Sequence, residues 1–588
     1  FRYREADFSS YPKGLMYSLA FLGTWLYSDE KAFVSAQVLP VFEKLKSLTG
    51  KGYFEELVQK YLLNNPHSSV ITLIPSRGLA ARKEKALAQK LQERLEGLSL
   101  EEREELVRKT KALEEYQEAP EPEGAEKCIP MLKREDIKKE AAGFYNEPLD
   151  VDGSLFLYHQ VPTNGIGYLD LLFDLKGLAP EKVPYLGLLK SVLGYVDTAG
   201  YTYGDLTNEI NAQTGGIQCG VEVFEQADSI EDYKAFFSLR GKVMYPRIDV
   251  LFKMAREILN TSKLNDTKRL YEIIAEVKSR AQANLVSGGH STAVLRASSY
   301  SLPMAAFQDA MSGIAYYQFI EKLEQEFEQR KEQIVENLEL LTREILRPEN
   351  LSVSYTGERE SLDQVKKQVK VLRQALHTEE VERSQEKMSC EKKNEGFMTS
   401  GQVQFVAQTG NFRKKGLSYH GALNILKVAL SYDYLWINLR VKGGAYGCMC
   451  GFRRNGESYF VSYRDPHLKR TLEVYQGIPD YVRNFQAEER EMTKYIIGTI
   501  SGKDVPKTPQ MQGSISKTAW FCGITEEMVQ KERDEILQAD VEDIRGLAPL
   551  IEAILEEKAI CVVGSETAVQ KEKEIFGEIK SLIGSGTV

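Results

Sequence analysis

The sequence is poor in the residues that build metal centres, disulfide frameworks and membrane spans. Its six histidines, His67, His159, His290, His377, His420 and His467, stand far apart, and none forms an HxxEH or HExxH pair. No local zinc motif exists. Seven cysteines among 588 residues, odd in number and mostly isolated, give neither a disulfide framework nor zinc-ribbon spacing and fit a reducing compartment. A basic field is also missing: 76 Lys+Arg against 85 Asp+Glu leave a net charge of −9, which argues against nucleic acid as a partner. The apolar stretch Gly14 to Tyr27 is 14 residues long and broken by Ser18 and Thr24, too short to cross a bilayer, and charged residues precede it, unlike a signal peptide. No membrane partner is expected.

What remains is ordinary globular composition, 42% apolar and 27% charged with 44 Gly and 19 Pro. A single core does not grow to this length, so several domains are expected. The sequence begins at Phe1 rather than Met, which reads as a truncated chain.

Repeats organise the rest. Three segments pair a short β-branched strand with a charged amphipathic helix: Val70 to Ile74 with a helix from about Ala80, Leu351 to Tyr355 with Leu362 to Leu376, and Ala559 to Val563 with Val569 to Leu582. The last two lie about 208 residues apart, the mark of two similar domains in tandem. A second pair agrees. Leu206 to Ile217 and Tyr434 to Ala445 each read as a helix running into a Gly-Gly turn, Gly215-Gly216 and Gly443-Gly444, before alternating strands Gln218 to Phe224 and Tyr446 to Phe452. Ahead of the tandem pair, Leu87, Leu91 and Leu95 recur at helical spacing, Gly97 interrupts, and Ser99 with Glu102 predicts a capping box opening a second helix through Leu106 and Leu113. This helical hairpin ends in the stiff acidic linker Ala119 to Gly124. The polar stretch His377 to Asn394, helix or loop, marks a second boundary.

Several candidate sites are weak. His290 follows Gly288-Gly289 and reads as an exposed or capping loop residue. Cys448 and Cys450 alternate on one strand face, but two thiols cannot complete a tetrahedral metal site, so they read as small packing residues. Gly498 to Asp504 imitates a phosphate loop with the wrong spacing and no hydroxyl for magnesium. The strongest candidate is Arg440 and Tyr446, on either side of Gly443, Gly444 and Ala445. A guanidinium and a phenol converging there would hydrogen-bond an anionic oxygen. The sister repeat has Ala212 and Gln218 at those positions, so any such function belongs to one copy alone. From spacing alone the plainer reading is an exposed Arg and a Tyr packed on the sheet.

Leu439 to Gly447, with Ser462 to Pro466, resembles the fourth domain of presequence-protease-like peptidases in the insulinase (pitrilysin) family. Tyr145 to Pro148 and Asn211 to Gly216 resemble the third domain, and the likeness runs along the whole chain. It implies an α+β fold of tandem homologous domains, each a mostly antiparallel sheet with helices packed on one face, joined by a helical hairpin into half of a clamshell. It implies residues 1–78 as the end of a second domain, 79–125 as hairpin and linker, 126–376 as a third domain and 377–588 as a fourth. It also implies a zinc metalloendopeptidase acting on unstructured peptides, monomeric when intact, whose zinc ligands and catalytic Glu lie on an HxxEH helix in a missing N-terminal half. In that reading Arg440 and Tyr446 are catalytic, binding the substrate carbonyl and the oxyanion, and Gly443, Gly444 and Ala445 line the substrate. This chain alone would then be inactive. The alternative is a non-catalytic binding or structural subunit paired with a separate zinc-bearing chain. Cysteine usage favours the cytoplasm, with an organellar matrix left open if a transit peptide was removed.

Overall fold

In a computed structural model, the structure describes residues 3, 13–119, 122, 124 and 128–584. The chain divides into two compact units, residues 8–131 and residues 132–588 with 1–7. The first unit, as described, is helical. Helices Lys13–Trp25, Val38–Leu48 and Tyr53–Val58 precede the hairpin Leu79–Glu96 and Leu100–Glu118. The predicted capping box forms: Glu102 N donates to Ser99 Oγ at 3.2 Å, and Ser99 N to Glu102 Oε2 at 2.8 Å. The expected strand Val70 to Ile74 does not form. Those residues have no ladder partner among the described residues, and their β-branched side chains stand exposed, Val70 at 97%. An extended segment becomes a strand only when a neighbour completes its hydrogen bonds, so propensity alone does not decide it. In the acidic linker only Ala119, Pro122 and Gly124 lie among the described residues.

The second unit holds two six-stranded mixed sheets. The first contains β1 (Glu147–Val151), β2 (Ser154–Gln160), β3 (Ile166–Asp174), β4 (Ile217–Glu225), β5 (Tyr233–Met244) and β6 (Leu351–Gly357), in the order β1-β2-β6-β3-β5-β4. The second contains β7 (Glu395–Thr399), β8 (Phe405–Asn411), β9 (Gly447–Phe452), β10 (Glu457–Tyr463), β11 (Ala559–Ser565) and β12 (Glu578–Ser581), in the order β12-β7-β11-β8-β10-β9. The strands β2, β6, β3, β5, β4 and β7, β11, β8, β10, β9 match one for one in order and direction, with β2·β6 and β7·β11 parallel and the other three pairings of each set antiparallel. The tandem repeat read from the closing strands is therefore a repeat of topology.

The sixth strand distinguishes the copies. β1 hairpins back onto β2, whereas β12 comes from the chain's end and runs parallel to β7. The long helix expected over Val569 to Leu582 is accordingly a correction: it stops at Lys571 and gives way to a 3-10 turn and then β12. Gly577 admits the chain into β12. Its N–H bonds Asn394 O at 2.8 Å, and a Cβ there would meet Lys393 O at 2.4 Å, an approach only glycine permits.

Each sheet carries its own helices on one face, such as Ile248–Thr261 on the first and Ala548–Glu556 on the second, forming two separate cores. The other face is covered by a helix lent by the sister domain. Helix Gly289–Ser299, from the first repeat, lies on β8, β10 and β11, while helix Pro509–Cys522, from the second, lies on β2, β4, β5 and β6. Glycines set the closeness: a Cβ on Gly289 would strike Phe405 and one on Gly513 would strike Thr356. Phe521 then packs between Phe224 and Phe236, at 5.1 and 4.7 Å between ring centroids.

A buried charge crosses at each of these contacts. Lys517 donates to Asp170 at 2.5 Å and Glu222 at 2.7 Å, and Arg296 forks onto Glu395 at 2.5 and 3.0 Å while holding Asp309 at 2.6 Å. The stretch His377 to Asn394 has neither helix nor strand. It is tied to the first repeat by Arg383, which donates to Lys176 O and Asn350 Oδ1. Residues 132–146 run along helices of the second repeat, where Arg533 bonds Lys138 O and Ser516 Oγ accepts from Tyr145 N. Among the described residues, no helix is long and apolar enough to cross a membrane.

Candidate functional site

The helix Ala422–Ala429 widens into two consecutive π-helical stretches, Leu430–Tyr434 and Trp436–Val441. Such i→i+5 turns shift the side chains that follow and recur at functional positions. Lys442 N bonds Ile437 O and Ala445 N bonds Leu439 O, both at 2.9 Å, so the chain folds tightly back on the helix end. Gly443 makes this approach feasible, because a Cβ there would lie 2.4 Å from Leu439 O. Gly444 has φ +78° and turns the chain toward the sheet. β9 starts at Gly447, one residue later than expected. Tyr446 sits just ahead of it, its N–H bonded to Tyr463 O at 3.0 Å.

Arg440 and Tyr446 meet on one side of this turn. The guanidinium carbon lies 5.5 Å from the Tyr446 ring centroid and 4.1 Å from that of Trp436. The Tyr446 ring in turn touches that of Tyr463 at 5.9 Å. Tyr446 is 64% exposed, and among the described residues neither its hydroxyl nor the Arg440 guanidinium has a hydrogen-bond partner or an ion pair. Five N–H donors and one O–H donor are thus held by stacking and left uncommitted. Ala445 is buried under the turn, Gly444 is exposed, and Gly443 is buried against the helix end. The sister turn differs. There Gly215 and Gly216 precede Gln218, and the nearby Arg240 is engaged by Asp170 at 3.0 Å and Glu222 at 3.1 Å.

Tyr463 and Arg464, from the Ser462 to Pro466 run that carries the resemblance, and Trp436 join this site, although the sequence assigned none of them a role there. Trp436 lies four residues before Arg440, a spacing that puts both on one helical face, and that was the available signal. Arg464 (φ +50°) and Asp465 follow β10, and buried Asp465 fixes the segment by accepting from Thr471 Oγ1 at 2.6 Å and His467 N at 2.9 Å. Burial pushes the Asp465 carboxyl above the usual range, against the pull of these bonds.

Other candidates resolve simply. His290 is a correction: it sits in the first turn of helix Gly289–Ser299, half-buried, with its ring edge-on to Tyr463 at 5.0 Å. It caps nothing, its Nδ1 being without a hydrogen-bond partner. His159 is buried between Tyr145 O and Ser354 Oγ, and burial pushes its pKa down to about 4, which keeps it neutral. The phosphate-loop look-alike lies within and just past helix Glu489–Lys503. Cys448 and Cys450 share β9, and burial pushes their thiols up to about 11 and about 12. All seven cysteines are free. A disulfide-exchange reagent at mildly alkaline pH is expected to modify exposed Cys128 quickly and Cys219, Cys448, Cys450, Cys522 and Cys561 only as the protein unfolds, because the thiolate is the reacting form. Stopped-flow absorbance checks this.

The turn makes its own prediction. Gly443→Ala forces backbone apart and should cost about 1–3 kcal/mol, the range for overpacking. Gly444→Ala should cost about 1–2 kcal/mol, the left-handed penalty. Urea titration of the two variants checks both values.

Among the described residues, no three His, Cys, Asp or Glu side chains converge as a metal site. Residues 73–323 match the family described as Peptidase M16C associated, and residues 394–566 match the PreP C-terminal domain. The fold and these matches define a chain similar to the C-terminal half of the presequence-protease-like M16 peptidases. Protein HypA of Clostridium perfringens is 38% identical over 99% of this chain and 60% of its own length. Presequence protease 1, chloroplastic/mitochondrial, of Arabidopsis thaliana is 29% identical over 99% of the chain and 55% of its own length. The chain thus spans little more than half of these relatives. A crystal structure of a conserved protein from Enterococcus faecalis shares the fold with a TM-score of 0.51 at 12% identity, covering 72% of this chain and 99% of that one.

Proposed function

We propose that this chain is the C-terminal part of a zinc metalloendopeptidase that hydrolyses unstructured peptides, and that it supplies two hydrogen-bond donors to a reaction centre carried by the enzyme's N-terminal half. One observation carries the reading: the Arg440 guanidinium and Tyr446 phenol are side by side and uncommitted, while Arg240 beside the sister turn is paired with Asp170 and Glu222. Among the described residues no three His, Cys, Asp or Glu converge to fit a zinc ion; the resemblance assigns the ligands to an HxxEH helix in that other half.

The pair would act as follows. The guanidinium, stacked on Trp436, keeps its planar fork free to bind the carbonyl oxygen of the scissile peptide. The phenol donates to the same oxygen as negative charge gathers on it. Donors fixed in advance stabilise that charge more than the neutral carbonyl, which lowers the barrier. Gly443, Gly444 and Ala445 leave the turn low enough for an extended peptide to pass.

The test is reconstitution. The chain alone should not cleave an unstructured peptide, and adding a first-half protein with zinc should restore cleavage. Cleavage by the chain alone would refute the reading. Restored cleavage that is indifferent to Arg440→Ala would favour a structural subunit.

A further inference from the structure

A cavity of about 820 Å³ opens between helix Thr267–Ser287 of the first repeat and the face of the second sheet. Ala283 and Val286 of the helix face Val403, Phe405, Val563 and Ile583, so the lining is largely apolar. Arg464 is the one charged residue among those that line it, an exposed side chain held at positive φ. The cavity is joined to the turn described above by aromatic contacts. The Phe405 ring in its wall lies 5.5 Å from that of Tyr463, and Tyr463 lies 5.9 Å from Tyr446. An extended chain advances about 3.3 Å per residue, so at most three to four residues span those two ring-to-ring steps.

We propose that this cavity is a specificity subsite for a large apolar side chain of the peptide, within three to four residues of the bond held at Arg440 and Tyr446. The inference rests on the proposed role of that pair for its position, but the cavity and its lining are independent of it. An apolar side chain entering here leaves water for Phe405, Val563 and Val286, while Arg464 at the rim is placed to donate to a peptide carbonyl or an acidic neighbour. Peptides with a bulky aliphatic or aromatic residue at that distance should therefore be preferred over polar ones.

Fluorescence anisotropy with this chain and a set of labelled Gly/Ser peptides, each carrying one Leu at a different position, tests the idea. One position should raise affinity about tenfold to a hundredfold, the effect of burying one such side chain. Ala283→Trp and Val286→Trp lie on exposed helix positions and fill the cavity. Each should abolish the Leu advantage and leave the affinity for the plain Gly/Ser peptide unchanged. Arg440→Ala should weaken every peptide by one factor and preserve the advantage. An advantage that survives both Trp variants, or no favoured position at all, overturns the proposal. So does self-association of the chain through this face, seen in sedimentation and removed by Ala283→Trp. If Arg440→Ala leaves the binding of every peptide unchanged while the Trp variants erase the advantage, the subsite stands and the carbonyl contact assigned to Arg440 falls.

Discussion

Tyr446→Phe, in the chain joined with its zinc-bearing half, is expected to lower turnover by about a hundredfold or more, the loss seen when one oxyanion donor is removed. KM should change little, because the lost hydrogen bond strengthens as the oxyanion forms rather than in the ground state. The phenyl ring keeps its contacts with Tyr463 and the Arg440 guanidinium, so the fold should be undisturbed. Arg440→Ala should lose at least as much turnover, and it also removes the stack on Trp436. Steady-state hydrolysis of a quenched fluorescent peptide, with circular dichroism as the control for folding, checks both.

The second large effect concerns the contact between the repeats. Lys517→Met leaves Asp170 and Glu222 buried beside one another with only the half-exposed Arg240 to answer them. Breaking a buried ion pair from one side costs about 3–5 kcal/mol, and the remaining arginine argues for the lower end. Arg240→Gln, at the exposed rim of the same cluster, should cost no more than about 1 kcal/mol. Urea midpoints of the two variants test the contrast.

The pH dependence follows from the same cluster. Burial pushes the Asp170 carboxyl up, but Lys517 and Arg240 outweigh it and hold the pKa below the usual range. A lowered folded pKa contributes stability above the unfolded value, roughly pH 4, and that stability is lost as pH falls through the folded pKa. Removing Lys517 should therefore shift the acid-induced loss to higher pH.

The readable and unreadable parts of this chain divide by the range of the interactions. The closing strands β6 and β11, the two Gly-Gly turns and the Ser99 capping box are set by residues within a few positions of one another, and all appear where alternation, helical spacing and glycine predict. Val70 to Ile74 has the same local signal but no neighbouring strand among the described residues, and it stays unpaired. β12 was hidden because the charge pattern of its segment resembles a helix, whereas Gly577, tight against Lys393 O, seats the segment beside β7. The exchanged helices were beyond sequence reading altogether. Nothing near Lys517 announces that its partners are 347 and 295 residues away, or that Gly289 lies against Phe405. At the candidate site, the Arg440 and Tyr446 spacing was legible. The π-helical widening that precedes it and the uncommitted state of both donors needed coordinates.

The most direct test of the account is single-turnover peptide hydrolysis by the reconstituted enzyme carrying Arg440→Ala and Tyr446→Phe separately and together. Because both donors serve one oxygen, the double variant should lose little more than the worse single variant, and each single variant should already be about a hundredfold slow. Single variants that hydrolyse at the unmodified rate would contradict it.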